Sequence, residues 1–152
     1  MRYAEQTTVT AGRSREEIER TLARYGAEGF YYGWESTYAI LGFTANGRRV
    51  QFELPMPDKE DHAYTHSSRG RRTTDVSERL WEQATRQRWR ALSLVVKAKL
   101  EAISSGITTF DEEFLAHFVV RDGDRLTTFG RLAIPELERL TVSGSAFKEL
   151  GA

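Results

Sequence analysis

The stretch RWRALSLVVKAKLEAISSGITTFDEEFLAHFVV, residues 88–120, decides the fold of this chain. Its first half continues an apolar periodicity of helical type that runs without Pro or Gly across residues 75–105. This periodicity predicts one helix of roughly 45 Å, at a rise of 1.5 Å per residue, which is long for a small domain. Gly106 is placed to end the helix, and Thr109 with Glu112 three residues later forms a capping box. The stretch therefore predicts a long central helix followed by a short one.

The long helix is predicted to pack through one broad apolar face. At about 100° per residue, its apolar positions gather on one arc instead of spreading around the helix. We expect this arc to lie against a sheet. The predicted apolar arc comprises Leu80, Trp81, Ala84, Leu92, Val95, Ala98, Ala102 and Ile103.

The segment YAILGFTANGRRVQFELP, residues 38–55, is the clearest local signal outside the helix. Asn46-Gly47 is the preferred pair for a type I′ turn between two antiparallel strands. A two-residue loop fixes the register and separates an apolar face from a polar one. The predicted cross-strand pairs are Phe43 with Val50 and Leu41 with Phe52. The predicted apolar face comprises Leu41, Phe43, Val50, Phe52 and Leu54.

Shorter elements are predicted near the N-terminus. Ser14 and Glu17 form a capping box, so we expect a first helix to begin at Ser14. Gly26 is placed to end this helix in a left-handed conformation. The aromatic segment GFYYGW, residues 29–34, is typical of a strand.

The rest of the chain completes the predicted fold. Asp122-Gly123 indicates a second hairpin, and Pro135 suits the first turn of a final helix. Residues 55–74 show no regular pattern, and a loop of this length is mobile or functional. We expect the C-terminal tail to be weakly held. The prediction is a single α+β domain over residues 1–152: an antiparallel sheet with β-hairpins packed against one long central α-helix, with shorter flanking helices.

The composition indicates a soluble globular protein. Of the 152 residues, 39% are hydrophobic and 29% charged, which argues against disorder. The absence of cysteine excludes disulfides and thiolate chemistry. No apolar run approaches the roughly 20 residues that span a bilayer, and no signal-peptide pattern is present. We therefore expect a cytoplasmic location and no membrane partner.

Recognisable catalytic and cofactor signatures are absent. The chain has no phosphate-binding G-x-x-x-x-G-K loop, no G-x-S-x-G elbow, no H-E-x-x-H and no dinucleotide fingerprint. His62 and His66 have a spacing that chelates zinc on a helix, but they lie in the irregular segment with no third ligand specified. A binding protein without a cofactor or metal is therefore the expectation, and an enzyme is unsupported.

Positive charge is concentrated in one part of a chain whose total charge is zero. The net charge is +6 over residues 69–99 and −6 over the remainder. Such asymmetry creates a local positive field that attracts anionic partners. The candidate contacts to nucleic acid or nucleotide phosphates are Arg69, Arg71, Arg72, Arg79, Arg86, Arg88, Arg90, Lys97 and Lys99.

Four of these cations are predicted to form a basic stripe on the long helix, opposite its apolar arc. Their spacing of 7, 4 and 7 residues keeps them within about 20° of one line along the helix. Such a stripe can follow a phosphate backbone. The alternative is a solvated surface in which Glu82 and Glu101 neutralise cations four residues away. The basic stripe comprises Arg79, Arg86, Arg90 and Lys97.

Arg88 and Lys99 point into the predicted apolar arc, where an unpaired charge is costly to bury. One reading is a structural ion pair between the long helix and a nearby carboxylate. The other is an anion pocket for a nucleotide or phosphate, since the planar guanidinium suits such groups. A phosphate-handling enzyme built on these residues is a weaker third hypothesis. The candidate carboxylates are Glu53, Glu112 and Glu113.

Two further features bear on binding. Tryptophans and tyrosines can stack bases, although aromatics at helix and strand spacing usually pack in the core. The long helix also exceeds what one small sheet can cover, so a homo-oligomer formed through it is a further hypothesis. The candidate stacking residues are Tyr31, Tyr32, Trp34, Trp81 and Trp89.

Four segments together resemble a widespread family of small phage and prophage proteins, whose members carry R-W-R-A-L, K-A-K-L-E, G-I and E-E-F-L-A in this order. The resemblance implies an accessory phage or prophage protein and carries no catalytic residues. Beyond residue 126 the chain departs from the family pattern, so nothing is carried over to the tail. The segments are SREEIERTLARYGAEGFYYGW (14–34), GFTANGRRVQFELPMP (42–57), RQRWRALSLVVKAKLEAISSGITTF (86–110) and DEEFLAHFVV (111–120).

Two functional hypotheses follow. The first is a non-enzymatic accessory protein that binds nucleic acid or nucleotide phosphates through the basic helix face and the loop before it. The second is a phage factor that binds and inhibits a host protein or an anti-phage defence protein, using the 55–74 segment and exposed aromatic residues.

Overall fold

The computed structural model describes Ala4 and residues 7–141. The helices are α1 (Ala11–Tyr25), α2 (His62–Thr65), α3 (Thr74–Ser104), α4 (Phe110–Phe114) and α5 (Phe129–Leu140). The strands are β1 (Gly29–Trp34), β2 (Tyr38–Ala45), β3 (Arg48–Pro55), β4 (His66–Ser67), β5 (Gly70–Arg71), β6 (Val119–Asp122) and β7 (Arg125–Thr128). Strands β1, β2 and β3 form an antiparallel sheet, and β4–β5 and β6–β7 form two small antiparallel ladders. The predicted α+β class with a long central helix is confirmed.

The turn between β2 and β3 has the conformation that its sequence predicts. Asn46 and Gly47 both adopt positive φ, of 52° and 71°. This is the geometry that a type I′ turn requires, and Gly adopts it without steric cost. The predicted register is confirmed, with Phe43 opposite Val50 and Leu41 opposite Phe52. All four of these side chains are buried.

The core lies between the inner face of the sheet and helices α1, α3 and α4. The face of α3 that packs into it differs from the predicted arc. Leu92 is buried as expected, but Leu80 and Val95 are exposed. The helix carries apolar residues around most of its circumference, so periodicity could not select the face that packs. The buried positions of α3 are Trp89, Leu92, Ser93, Val96 and Leu100.

Helix α1 begins earlier than the sequence predicts. Thr10 is the N-cap, and its hydroxyl accepts a hydrogen bond from the Arg13 amide at 3.2 Å. Ser14 therefore lies inside the helix and is fully buried, so the predicted capping box at Ser14 is wrong. Gly26 ends the helix at a φ of 107°, and this prediction is confirmed.

The end of α3 and the start of α4 agree with the sequence. Gly106 has a φ of 75° and follows the last turn of α3. The Thr109 side chain accepts from the Glu112 amide, and the Glu112 carboxylate accepts from the Thr109 amide. This backbone hydrogen bond from Thr109 is the main cause of the lowered pKa of Glu112. The predicted capping box is confirmed.

The second hairpin and the final helix differ from the prediction in detail. The hairpin turn is formed by Gly123 and Asp124, one residue later than predicted, because Asp122 pairs with Arg125. Helix α5 begins at Phe129, so Pro135 lies inside it and not in its first turn. The predicted weakly held tail lies outside the described residues from position 142 onward.

Residues 55–74 are more regular than predicted. They contain the short helix α2 and the β4–β5 ladder. Asp61 caps α2 by accepting a hydrogen bond from the Ala63 amide at 2.8 Å. The segment packs beside the N-terminal half of α3, since Tyr64 lines the same groove as Ala84. Within the described part of the chain, no helix is both long and apolar enough to cross a membrane.

Candidate functional site

The C-terminal half of the predicted basic stripe, Arg90 and Lys97, faces α1. Arg90 donates to a Glu17 carboxylate oxygen at 2.6 Å, and Lys97 donates to the other oxygen of the same carboxylate. The hydrogen bond from Lys97 is the largest cause of the lowered pKa of Glu17, and Arg90 contributes to it. Arg86 donates to the Gln83 side-chain oxygen at 3.1 Å. Two of the four stripe cations, Arg90 and Lys97, are therefore held by α1, while Arg79 is exposed, and the spacing of the stripe could not reveal this difference.

Lys99 and Arg88 serve separate surfaces. Lys99 donates to the Glu113 carboxylate at 3.1 Å and to the Glu113 carbonyl at 3.0 Å, and it lies over the Phe114 ring. This is the structural ion pair between the long helix and α4 that formed one of the two readings. Arg88 is exposed, beside Ala84 and eleven residues before Lys99, which is about 16 Å along the helix. The two cations therefore do not form one pocket.

All three tryptophans of the chain line one aromatic cleft of about 500 Å³. Trp34 comes from β1, and Trp81 and Trp89 come from α3. The Trp34 side chain is 71% exposed, whereas Trp89 is buried and meets the edge of Tyr32 with ring centroids 5.4 Å apart. Trp89 thus forms the buried base of the cleft, and Trp34 forms a side that is exposed to solvent. We define the aromatic cleft by Tyr32, Trp34, Trp81 and Trp89.

The position of the cleft follows from the register of the sheet. Tyr32 and Trp34 alternate with residues on the other face of β1, so both point toward the core side. Their cross-strand partners Leu41 and Ala39 are fully buried. The core ends at this edge, however, and Trp34 extends past it. The strand pattern alone could not indicate that Trp34 stays mostly exposed.

Two cations lie on the aromatic rings of the cleft. The Arg15 guanidinium is 4.6 Å from the Tyr32 ring centroid and 5.2 Å from the Trp89 ring. The Lys59 ammonium is 4.4 Å from the Trp81 ring centroid. These distances are within the range of favourable cation–π contacts. Sequence reasoning missed Arg15 and Lys59 because each is far along the chain from the ring it covers.

The Trp81 ring also links the cleft to the segment of residues 55–74. Its indole nitrogen donates to the Pro57 carbonyl at 2.7 Å, which fixes the ring in place. The ring also lines a smaller pocket of about 200 Å³, together with Lys59, Arg71 and Arg72. Arg72 donates to the Ala63 carbonyl at 3.3 Å. We call Lys59, Arg71 and Arg72 the basic rim of the cleft.

Acidic side chains offset part of this positive charge. They lie around the aromatic cleft and the smaller pocket, so the combined surface is close to neutral. Of the nine cations that the sequence indicates, only Arg71 and Arg72 reach this surface. Arg69 and Arg79 are exposed outside it. The acidic residues are Glu35, Asp58, Glu60 and Glu78.

Tyr31 is the one predicted stacking residue that lies elsewhere. Its hydroxyl donates to the Gln51 side-chain oxygen at 2.9 Å and accepts from Arg49 at 3.1 Å on the outer face of the sheet. Its ring covers Gly42 so closely that a Cβ at this position would collide with the ring. Tyr31 is therefore occupied in bracing the sheet.

His62 and His66 stack on each other beside the basic rim. Their rings are parallel within 3° with centroids 4.0 Å apart, and the Thr65 hydroxyl is 2.8 Å from His66 Nδ1. Burial, followed by the charges of His62 and Arg71, lowers the pKa of His66. Across Ala4 and residues 7–141, no group of three or more His, Cys, Asp or Glu side chains is arranged to hold a metal ion.

No protein-family model, curated protein or solved structure matches the chain. The similarity to phage and prophage proteins therefore stays a prediction. The chemistry of the aromatic cleft and its basic rim is the feature of the fold that points to a ligand.

Proposed function

We propose that the protein binds nucleic acid or nucleotide phosphates without catalysing a reaction, as an accessory protein of a phage or prophage, and that the aromatic cleft is its binding surface. The observation that carries this proposal is the convergence of all three tryptophans on one cleft bordered by cations. Proteins that bind single strands stack bases on aromatic rings and follow the backbone with basic side chains. Trp34 supplies the open ring for stacking, and the basic rim supplies the cations.

Stacking is expected to contribute more to affinity than charge. Each base stacked on an aromatic ring is worth about 1–3 kcal/mol by alanine substitution. The basic rim offers three cations, and the nearby carboxylates weaken their field. At about 0.7 of a logarithmic unit per phosphate contact, three contacts give a salt slope of about 2. A single strand or a free nucleotide therefore fits better than a duplex, whose bases are already stacked on each other.

The direct test is binding of fluorescently labelled oligothymidine and oligoadenine, measured by anisotropy at several salt concentrations. Trp34→Ala is the informative variant, because its side chain is mostly exposed and its loss leaves the core intact. We expect the dissociation constant to rise about 5- to 150-fold. The matched control is Ile107→Ala, which removes an apolar side chain that is 79% exposed and lies outside the cleft.

The basic rim is tested separately. Arg71→Ala combined with Arg72→Ala should lower the salt slope by about 1 to 1.5. Arg20→Ala, at an exposed position of α1, should leave the slope unchanged. The proposal fails if neither single strands nor mononucleotides bind at low ionic strength, or if Trp34→Ala binds as tightly as the wild type.

A second candidate function is supported by a different surface. Helix α5 exposes several large apolar side chains, which is typical of a protein-binding face. A phage factor that binds a host or defence protein would use such a face. In that case Ile134→Asp should release a partner that the wild-type protein retains after nuclease treatment, whereas Trp34→Ala should not. The exposed side chains of α5 are Phe129, Leu132, Ile134, Leu137 and Leu140.

A further inference from the structure

The outer face of α3, on the side away from the sheet, carries a stripe of leucine and alanine residues interrupted by one glutamine. Leu80, Ala91 and Ala98 are exposed along it, and Ala84, Gln87 and Leu94 are half-buried. The central part of the stripe, with Tyr64 and Ala4 at its edge, forms a groove of about 590 Å³. We define the outer stripe as Leu80, Ala84, Gln87, Ala91, Leu94 and Ala98.

The spacing of the outer stripe is that of a helix that packs against another helix. Its residues are separated by 4, 3, 4, 3 and 4 positions, which is the repeat of a coiled-coil seam. A surface helix with no helical partner needs no apolar repeat on its solvent side. The repeat therefore indicates a helix as the occupant.

The order of residue sizes along the outer stripe identifies that helix as a second copy of α3. Read in sequence, the stripe is large, small, Gln, small, large, small. If a second α3 runs antiparallel about a point midway between Gln87 and Ala91, every large residue meets a small one. The pairs are Leu80 with Ala98, Ala84 with Leu94, and Gln87 with Ala91. A parallel copy would place Leu on Leu and Ala on Ala, which leaves voids.

We propose that two copies of the protein associate through antiparallel packing of their outer stripes. This inference is independent of the aromatic cleft, which lies on the core side of α3. The six stripe residues span 18 positions, or about 27 Å. A strip of this length and about 10 Å width covers on the order of 300 Å² per copy, below the roughly 800 Å² of a standard interface. The total of about 600 Å² is that of a weak, transient contact, so we expect a dimer that forms only at high protein concentration.

Sedimentation velocity across a wide concentration range tests the proposal. The wild-type protein should shift from monomer to dimer, and Ala91→Arg should stay monomeric because it places a charge in the seam. Ala23→Arg, at an exposed position of α1, is the matched control and should dimerise like the wild type. The circular dichroism melt of each variant establishes that it is folded. A wild-type monomer at millimolar concentration, or an Ala91→Arg variant that still dimerises, would overturn the proposal.

The orientation is tested by cross-linking, since the chain has no cysteine of its own. In the antiparallel arrangement, Gln87→Cys chains mixed with Ala91→Cys chains should form mixed disulfides faster than either variant alone. Parallel packing would instead let each variant cross-link to itself, and that result would contradict the inference. Trp34→Ala should dimerise normally, so a failed nucleotide-binding experiment and a failed dimer experiment are distinguishable.

Discussion

Neutralising Glu17 tests whether the basic stripe of α3 is structural. Glu17→Gln keeps the shape of the side chain and removes the charge that Arg90 and Lys97 share. Hydrogen bonds to charged groups contribute about 1.5–3 kcal/mol when shielded, and exposed ion pairs contribute about 0–1 kcal/mol. The Glu17 side chain is 26% exposed, and Gln retains one acceptor oxygen. We therefore expect the free energy of unfolding to fall by about 1–2 kcal/mol at neutral pH.

The measurement is urea unfolding followed by circular dichroism, at neutral and at acid pH. A loss of this size lowers the melting temperature by about 3–6 °C for a chain of this length. Because the pKa of Glu17 is lowered in the folded state, its contribution is present above the ordinary Glu pKa of about 4.3. It disappears as the pH falls through the folded-state pKa. The gap between wild type and Glu17→Gln should therefore close in acid.

Glu19→Gln provides the control, since Glu19 is exposed on the same helix. Equal stabilities of wild type and Glu17→Gln at neutral pH would refute the reasoning, as would a gap that persists in acid. Glu17→Gln also distinguishes phosphate binding by the basic stripe from binding by the aromatic cleft. If the stripe bound phosphates, freeing Arg90 and Lys97 would strengthen oligonucleotide binding several-fold. Binding through the aromatic cleft predicts no change.

Three further substitutions have defined outcomes. Lys99→Met should lower the free energy of unfolding by about 1–2 kcal/mol, and the loss should be smaller in a Glu113→Gln background, as a double-mutant cycle would measure. Gly130→Ala should destabilise the protein by about 1–3 kcal/mol in thermal melts, because its Cβ would stand 2.9 Å from the Ala116 carbonyl oxygen. Ser14→Ala should be neutral or stabilising in the same melts, since the buried Ser14 hydroxyl has no hydrogen-bond partner among the described residues. A loss of about 1 kcal/mol for Ser14→Ala would instead favour the capping role that the sequence suggested.

The features that the sequence predicts correctly are those with local causes. The β2–β3 register follows from Asn46-Gly47, because a two-residue turn leaves no freedom in strand pairing. The start of α4 follows from Thr109 and Glu112, whose hydrogen bonds close within four residues. The predicted start of α1 is wrong because the Thr10 hydroxyl can cap a helix as the Ser14 hydroxyl can. Both residues precede the same apolar repeat, so the sequence does not distinguish them.

The functional surfaces depend on contacts between distant parts of the chain. Glu17 and Lys97 are 80 residues apart, and nothing near either one indicates the other. Composition correctly indicated the basic segment, but only the packing of α1 on α3 decides which of its cations remain available to bind a ligand. The aromatic cleft likewise brings Trp34 of β1 next to Trp81 of α3, 47 residues later in the chain. Residue type suggested stacking, and only the fold brings the rings together.

The attachment of the C-terminal hairpin has a consequence for how the protein opens. Strands β6 and β7 and helix α5 are attached by the bridge of Val50 with Phe118, by packing of β6 beside β3, by contact of α5 with residues 115–117, and by the exposed ion pair of Arg131 with Glu53. Because few contacts hold this unit to the sheet, we expect it to open locally at a free energy well below that of global unfolding. Amide protons of residues 119–140 should therefore exchange with deuterium sooner than those of β2. A protease should cut this unit first and leave the remainder folded.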